Sequence, residues 1–270
     1  MLDFLFGKGR KTVGLALGSG AGRGFAHIGV IKTLLRNNIP IDFISGSSIG
    51  AIVAAYYALT LDIDSLEKIA LSINPKTILK LIDLNNPKQS LIKGNKIRNF
   101  LTENLFGEKT FSDTKIPLRI AATSLDDGLV YCYKEGKIID AVIASGTIPG
   151  ILPAINKDEK HLVDGGLADA IPLDLLSEFN PDILIGVDLY AYDSLKGKNY
   201  NTREVLNTTY KIYISKLSKF LEKEYKKNVL LIKPRTNDSL NALIFNNAAE
   251  KILIGEKETE NMLPKIKSLL

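Results

Sequence analysis

An α/β fold with a largely parallel central sheet is what this sequence predicts. Three observations carry the expectation: short apolar runs recur along the chain, stretches at helical spacing separate them, and glycine clusters mark several junctions. Residues 12–17 are the first apolar run and lead into GSGAGRG, after which residues 25–35 follow helical spacing. Residues 41–45 form a second strand, followed by a helix over about 49–59. Asp64 is expected to begin another helix, with Glu67 three residues on as its capping-box partner. Residues 118–122 and 129–133 read as strands around a turn at 126–128, and 183–189 and 229–232 as further buried strands.

Two stretches break this rhythm. Residues 74–111 carry helical patterns (Ile78, Leu79, Ile82; Ile97, Phe100, Leu101, Leu105) and no convincing strand, as in a helical insertion covering one edge of a site. Residues 191–202 are polar and contain glycine, the composition of a loop. A long amphipathic helix is expected over 203–227, with Val205, Leu206, Tyr213, Leu217, Phe220 and Leu221 on one face. Such a stripe normally packs on a core, and its sharper alternative is a lipid-facing cap. With no internal repeat or second boundary, one domain is expected over 1–270, helix-rich from about 203 onward.

A hydrophobic content of 45% with 24% charged residues suits a globular protein able to bury an ordinary core. Cys132 is the one cysteine, so no internal disulfide forms and a reducing compartment is expected. The opening MLDFLFGKGRK lacks the regions of a signal peptide, and no window reaches ~18 uninterrupted apolar residues. The expected location is the cytoplasm, peripheral to the inner face of the membrane. A net charge of +5, spread rather than clustered, fits transient contact with an anionic membrane surface. No recognition motif or basic stripe points to nucleic acid.

Chemistry concentrates in three places. The first is GSSIG at 46–50, a G-x-S-x-G match between a strand and a helix rich in small residues, which is the placement of a nucleophile elbow. Gly46 and Gly50 permit a sharp turn and close packing, and Ser48 becomes the candidate nucleophile. The second is the glycine loop: Gly18, Ser19, Gly20, Ala21, Gly22, Arg23 and Gly24. A dinucleotide site would need G-x-G-x-x-G, but Arg23 stands where the third glycine belongs, and the second strand ends in the elbow rather than an acidic residue. An oxyanion hole fits better, with the N–H groups of Gly20, Ala21 and Gly22 near Ser48. Arg23 would order that loop or attract a phosphate-bearing substrate.

The third place is set by the scarcity of histidine. His27 and His161 are the two in the chain, and none follows 161 to complete a late-histidine triad. His27 reads as a packing or hydrogen-bonding residue. His161 is a possible base, yet Asp164 in HLVDGG is the better one, at a strand end with Gly165 and Gly166 providing a tight turn. To accept a serine proton its pKa must rise by partial burial. An ordinary Asx turn is the competing explanation of D-G-G.

These elements, in this order, resemble the patatin-like phospholipase family in its compact bacterial form. The resemblance runs from about Val13 to Asp188 through LALGSGAGRGFAHIGVIKTL, ISGSSIGAIVAA, ASGTIPGILP and VDGGLADAIP. It implies a three-layer α/β/α fold, Ser48 as nucleophile with Asp164 as dyad partner, the glycine loop as oxyanion hole, and hydrolysis of acyl esters of glycerolipids without a metal or other cofactor. The chain departs from the family's consecutive glycines at Ser19 and Ala21, and Ala21 does not freely adopt a positive φ. An acyltransferase using the same serine, or a catalytically weak membrane-binding scaffold, are the competing functions. The malonyl-transferase relatives carry histidine where this chain has Ser47, which counts against them.

Overall fold

In the computed structural model, which describes residues 9–86, 88, 90–190, 202–224, 229–236 and 245–270, the described strands join in one eight-stranded sheet. They are β1 (Val13–Leu17), β2 (Phe43–Ser47), β3 (Leu118–Ser124), β4 (Val130–Tyr133), β5 (Ile155–Lys157), β6 (Lys160–Asp164), β7 (Ile183–Val187) and β8 (Val229–Ile232). The helices are α1 (Phe25–Arg36), α2 (Ile49–Thr60), α3 (Ile63–Ser72), α4 (Pro75–Leu81), α5 (Asn95–Leu101), α6 (Ile138–Ser145), α7 (Thr202–Glu224) and α8 (Ala248–Leu269). Strands neighbour in the order β5-β6-β3-β2-β1-β7-β8, and β4 pairs with β3. The run β3-β2-β1-β7-β8 is parallel, while β4, β5 and β6 are antiparallel additions.

Side-chain alternation along the strands fills both faces of the sheet. Val13, Leu15, Leu17 and Ile44 enter a cluster with apolar residues of α1, α2, α3, α6 and α8. Ala16 and Phe43 point the other way, toward Ile171, Leu173 and Leu176 beyond β6 and Ile214 of α7. The sheet is therefore the middle of three α/β/α layers.

Several boundaries differ from the sequence expectation. β2 runs on to Ser47, so Gly46 and Ser47 of GSSIG are strand. Helix α3 starts at Ile63, because the Asp62 carboxylate accepts the Ser65 N–H at 3.0 Å; Asp64 is inside the helix and Glu67 pairs with Lys32 rather than capping. The 74–111 segment holds α4, capped by Asn74, and α5, which runs into a single π-helical turn over Thr102–Phe106. Helix α7 does not pack by the full expected stripe. Val205, Tyr213 and Phe220 are exposed, while Thr208, Ile214, Ser215 and Ser218 are buried and Ser218 donates to Asp188. Small polar residues, which an apolar count misses, thus make up most of the buried positions on that helix. Of the expected loop at 191–202, Thr202 instead opens α7, and residues 191–201 and the side chains of Leu206 and Leu221 lie outside the described residues.

Helices α1 and α8 cross at glycine on both sides. A Cβ on Gly255 would stand 2.1 Å from the Ala26 carbonyl oxygen, and one on Gly29 would stand 2.0 Å from that of Ile252. Backbone cannot yield as a side chain would. Gly255→Ala should therefore lower stability by ~1–3 kcal/mol through overpacking, despite the ~1 kcal/mol gain in helix propensity. Urea unfolding measures this, and an unchanged or raised midpoint would contradict the contact.

Candidate active site

Three turns at the ends of β1, β2 and β6 meet at one point, and their glycines explain how. After β1 the Gly18 and Ser19 N–H groups bond to the carbonyls of Val187 and Ala170, which ties the start of the glycine loop to the sheet. Residues Ala21–Gly24 then form a 3₁₀ turn that leads into α1. The Gly20 N–H follows these tied donors and has no hydrogen-bond partner among the described residues. Arg23 is buried, donates to the Leu189 carbonyl at 2.7 Å and lies over the Tyr190 ring. Of its two expected roles, that is the placement for ordering the loop.

After β2 the chain turns at Ser48, whose φ of 55° and ψ of −121° are those of a strained strand-to-helix elbow. The turn is tight enough that Cβ atoms on Gly46 and Gly50 would meet Gly50 and Leu17 carbonyl oxygens at 2.5 and 2.1 Å. A Cβ on Gly24 would strike Ile49 at 2.1 Å, so the glycine loop abuts the residue after Ser48. The Ser48 N–H donates to the Ser145 hydroxyl at 2.8 Å. No role attached to Ser145 in the sequence beyond its place in ASGTIPGILP.

Asp164 ends β6 and is 2% exposed. Its Oδ2 accepts the Ser48 hydroxyl at 2.6 Å and its Oδ1 accepts the Gly166 N–H at 2.8 Å. The Asx turn and the dyad contact, alternatives in the sequence, thus coexist on one carboxylate. Burial raises its pKa to about 6, against the opposing pull of the Ser48 and Gly166 hydrogen bonds. The backbone is pinned by Asp164 N–H to Thr147 O at 2.8 Å and by the Thr123 hydroxyl to Asp164 O at 2.8 Å. A Cβ on Gly165 would hit Ala121 O at 2.2 Å, and one on Gly166 the Ser19 hydroxyl at 2.4 Å. Gly24, Gly46, Gly50, Gly165 and Gly166 therefore lie in one interlocked cluster.

The histidines are elsewhere engaged. His27 is fully buried, its Nε2 lies 2.7 Å from Gly18 O, and desolvation lowers its pKa to about 4, leaving it neutral. It braces the carbonyl beneath the glycine loop. His161 is exposed on β6 with its ring 3.0 Å from Asp126. Neither ring bonds to the Ser48 hydroxyl, whose recorded partner is Asp164.

Ala21 does adopt a positive φ, 51°, which costs a non-glycine residue ~1–2 kcal/mol. Part of that relief is offset by the chain entropy glycine adds to the unfolded state. Ala21→Gly should raise stability by ~0.5–1 kcal/mol, the residue of those two terms. Thermal and urea unfolding read this out, and a clear loss of stability would mean the loop does not hold the conformation described.

Comparison with known proteins gives a consistent result. The family model described as patatin-like phospholipase matches residues 15–177. An uncharacterized NTE family protein of Mycobacterium tuberculosis is 34% identical over 183 residues, covering 68% of this chain and 50% of the relative. A lysophospholipase NTE1 of Coccidioides immitis is 30% identical over 193 residues, 70% of this chain and 12% of that protein. The chain thus spans half the length, or less, of these curated relatives. The crystal structure of VipD from Legionella pneumophila superposes with a TM-score of 0.54 at 16% identity, covering 95% of this chain and 67% of that one, a likeness of fold. With 163 of its 270 residues inside the match, the chain belongs to the patatin-like phospholipase family.

Proposed function

We propose that the chain hydrolyses acyl esters of glycerolipids through a Ser48–Asp164 dyad. The observation that carries this reading is the 2.6 Å contact between the Ser48 hydroxyl and a buried carboxylate whose pKa is raised to about 6. Asp164 Oδ2 takes the proton as Ser48 Oγ attacks the ester carbonyl carbon. The developing oxyanion is received by N–H groups of Gly20, Ala21 and Gly22. Collapse breaks the bond to the alcohol, which leaves with the proton from Asp164. Water, deprotonated by the same carboxylate, then releases the fatty acid from Ser48. Activation and charge stabilisation both come from the chain, so full activity is expected in excess EDTA.

An apolar cleft of about 170 Å³ is the place for the acyl chain. It begins at Gly24 and Ile49, beside the nucleophile, and runs under the insertion past Ile82, Phe100 and Leu105. Of the insertion's expected stripes, Ile78, Ile82, Ile97, Phe100, Leu101 and Leu105 therefore face inward, whereas Leu79 faces out. The insertion's outward apolar residues are Leu79, Leu84 and Leu91, at 69%, 79% and 56% exposure, interspersed with exposed Lys76, Lys80 and Lys88. That is the composition of a weak, reversible contact with an anionic membrane surface. Among the described residues no helix is long and apolar enough to cross a membrane.

Two measurements test the dyad. Activity on a soluble p-nitrophenyl ester should fall as pH drops through about 6, because the carboxylate is the working form. Asp164→Asn should cost at least ~10²-fold at pH 8, with His161→Ala near wild type; equal losses would move the base to His161. Stability runs the opposite way. A carboxyl whose folded pKa is raised from 3.8 favours folding most below that value, and the contribution is lost as pH rises through about 6. Asp164→Asn should thus be more stable than wild type at pH 8, on the order of 3 kcal/mol, with the gap closing toward pH 4. Asp169, raised to about 7 by burial and by Asp174, titrates nearby, so Asp169→Asn is the control. An Asp164→Asn protein less stable at pH 8 than at pH 4, relative to wild type, would contradict the buried carboxylate.

For the membrane contact, Leu79→Ser with Leu84→Ser should reduce turnover of lipid in anionic vesicles several-fold and leave the soluble ester unaffected. Added salt should mimic the vesicle defect. Equal salt responses for the two substrates would remove the surface from the account.

A further inference from the structure

The turn that carries Asp164 lies between two serine hydroxyls that bond to nothing. Ser19 and Ser47 are buried, and the Oγ of each is shut off from solvent with no hydrogen-bond partner among the described residues. A hydroxyl in that state costs stability, so neither is explained by a contribution to folding. The two face different glycines of the turn. A Cβ on Gly165 would stand 2.8 Å from Ser47 Oγ, and its two nearer neighbours would be backbone atoms of Ala121. A Cβ on Gly166 would stand 2.4 Å from Ser19 Oγ and 3.0 Å from Asp164 Oδ1. The Ser19 hydroxyl and the carboxylate thus border one point, and glycine at 166 places no side chain between them.

The Ser19 N–H is fixed on the Ala170 carbonyl at 2.9 Å, so a change of side-chain rotamer moves the hydroxyl and leaves the loop in place. In the resting dyad the carboxylate has two donors, the Ser48 hydroxyl on Oδ2 and the Gly166 N–H on Oδ1. Acylation removes the first. Ser48 Oγ becomes an ester oxygen without a proton, and the alcohol leaves with the proton that Asp164 held. The buried carboxylate is charged again and keeps one donor among the described residues, the Gly166 N–H. It has to stay charged to deprotonate water, and a hydrogen bond to the charged form favours that form. We propose that Ser19 is a positioning residue for Asp164, its hydroxyl turning onto Oδ1 once Ser48 is acylated and holding the carboxylate charged for the hydrolytic step. Asp164 then takes a proton from water, the water oxygen bonds to the acyl carbon, and the ester bond to Ser48 Oγ breaks as that oxygen recovers the proton. The proposal rests on the hydrolase reading above and assigns Ser19 to its second half-reaction.

Stopped-flow hydrolysis of a soluble p-nitrophenyl ester separates the half-reactions, the burst of p-nitrophenol reporting acylation and the steady rate deacylation. Ser19→Ala deletes Oγ and leaves the Cβ over Gly166. The acid limb of its steady rate should move up by about one pH unit, the effect of one hydrogen bond to a charged group. The steady rate then falls about tenfold at pH 5 and stays within about twofold of wild type at pH 8. The burst rate should stay within about threefold at both pH values. Stability should move the other way, the urea midpoint holding or rising because an unpaired buried hydroxyl has been removed. Ser47→Ala, which removes the other such hydroxyl from the same turn, should leave the pH profile of the steady rate in place.

A second arm does not depend on a resolved burst. Acid quenching during turnover at pH 5, followed by intact mass, gives the fraction of Ser48 that carries the acyl group. That fraction should be higher in Ser19→Ala than in wild type. An equal fraction, or burst and steady rates that shift together, overturns the role of Ser19 and leaves the dyad standing. The same shift in Ser47→Ala, or a Ser19→Ala protein that is less stable and slower in both half-reactions, assigns the loss to packing of the turn and overturns it too. Wild-type protein that neither turns over the ester nor forms acyl-Ser48 overturns the hydrolase reading itself, and Ser19 with it.

Discussion

The edge of β3 on which β2 and β6 follow one another sets the position of everything else. Ala121 pairs with Ser47 on one side and Cys132 on the other, and Ala122 pairs with Asp164 and Tyr131. Since β4 occupies one edge across both positions, β2 and β6 share the opposite edge in succession. β2 leaves it at Ser47 and β6 takes it up with Asp164 at the next residue. The strand end that carries the serine and the antiparallel strand end that carries the carboxylate are thus brought together by backbone register. The glycine contacts at 18–24, 46–50 and 164–166 then close the remaining gaps.

That geometry is bought with local strain and an uncomfortable charge. Ser48 and Ala21 both sit at positive φ, and Asp164 is desolvated with two hydrogen bonds as partial compensation. Each would be eliminated in a protein selected for stability alone. Together they hold a carboxylate, its pKa raised to about 6, within hydrogen-bond reach of a serine hydroxyl. The rigid surroundings, a sheet buried on both faces and an α1–α8 crossing without side chains between, supply the stability that tolerates this.

Much of this was readable in the residues. Alternating strand and helix patterns predict the parallel sheet, and the glycine clusters locate the turns, because close backbone approach excludes other residue types. Ser48 and Asp164 stand out through the elbow pattern and the lack of a suitable histidine. What escaped detection depends on contacts remote in sequence. Ser145 and Thr147 brace the dyad across ~100 and ~17 residues through one hydroxyl and one carbonyl, and no spacing rule encodes that. The Asp62 cap displaced the expected one because two acidic residues compete within one turn, and geometry chooses between them. The inward turn of most of the insertion's stripes follows from how short helices pack on the sheet rather than from their periodicity.

Covalent trapping reaches the central claim, a serine activated by an aspartate alone, most directly. The protein, its Asp164→Asn variant and its His161→Ala variant would be reacted with a fluorophosphonate at pH 8, with adduct formation followed by intact mass and the site mapped by peptide sequencing. A single adduct on Ser48 is expected, formed at the wild-type rate in His161→Ala and far more slowly in folded Asp164→Asn. An adduct on another residue, or Ser48 labelling at the wild-type rate without the Asp164 carboxylate, would contradict it.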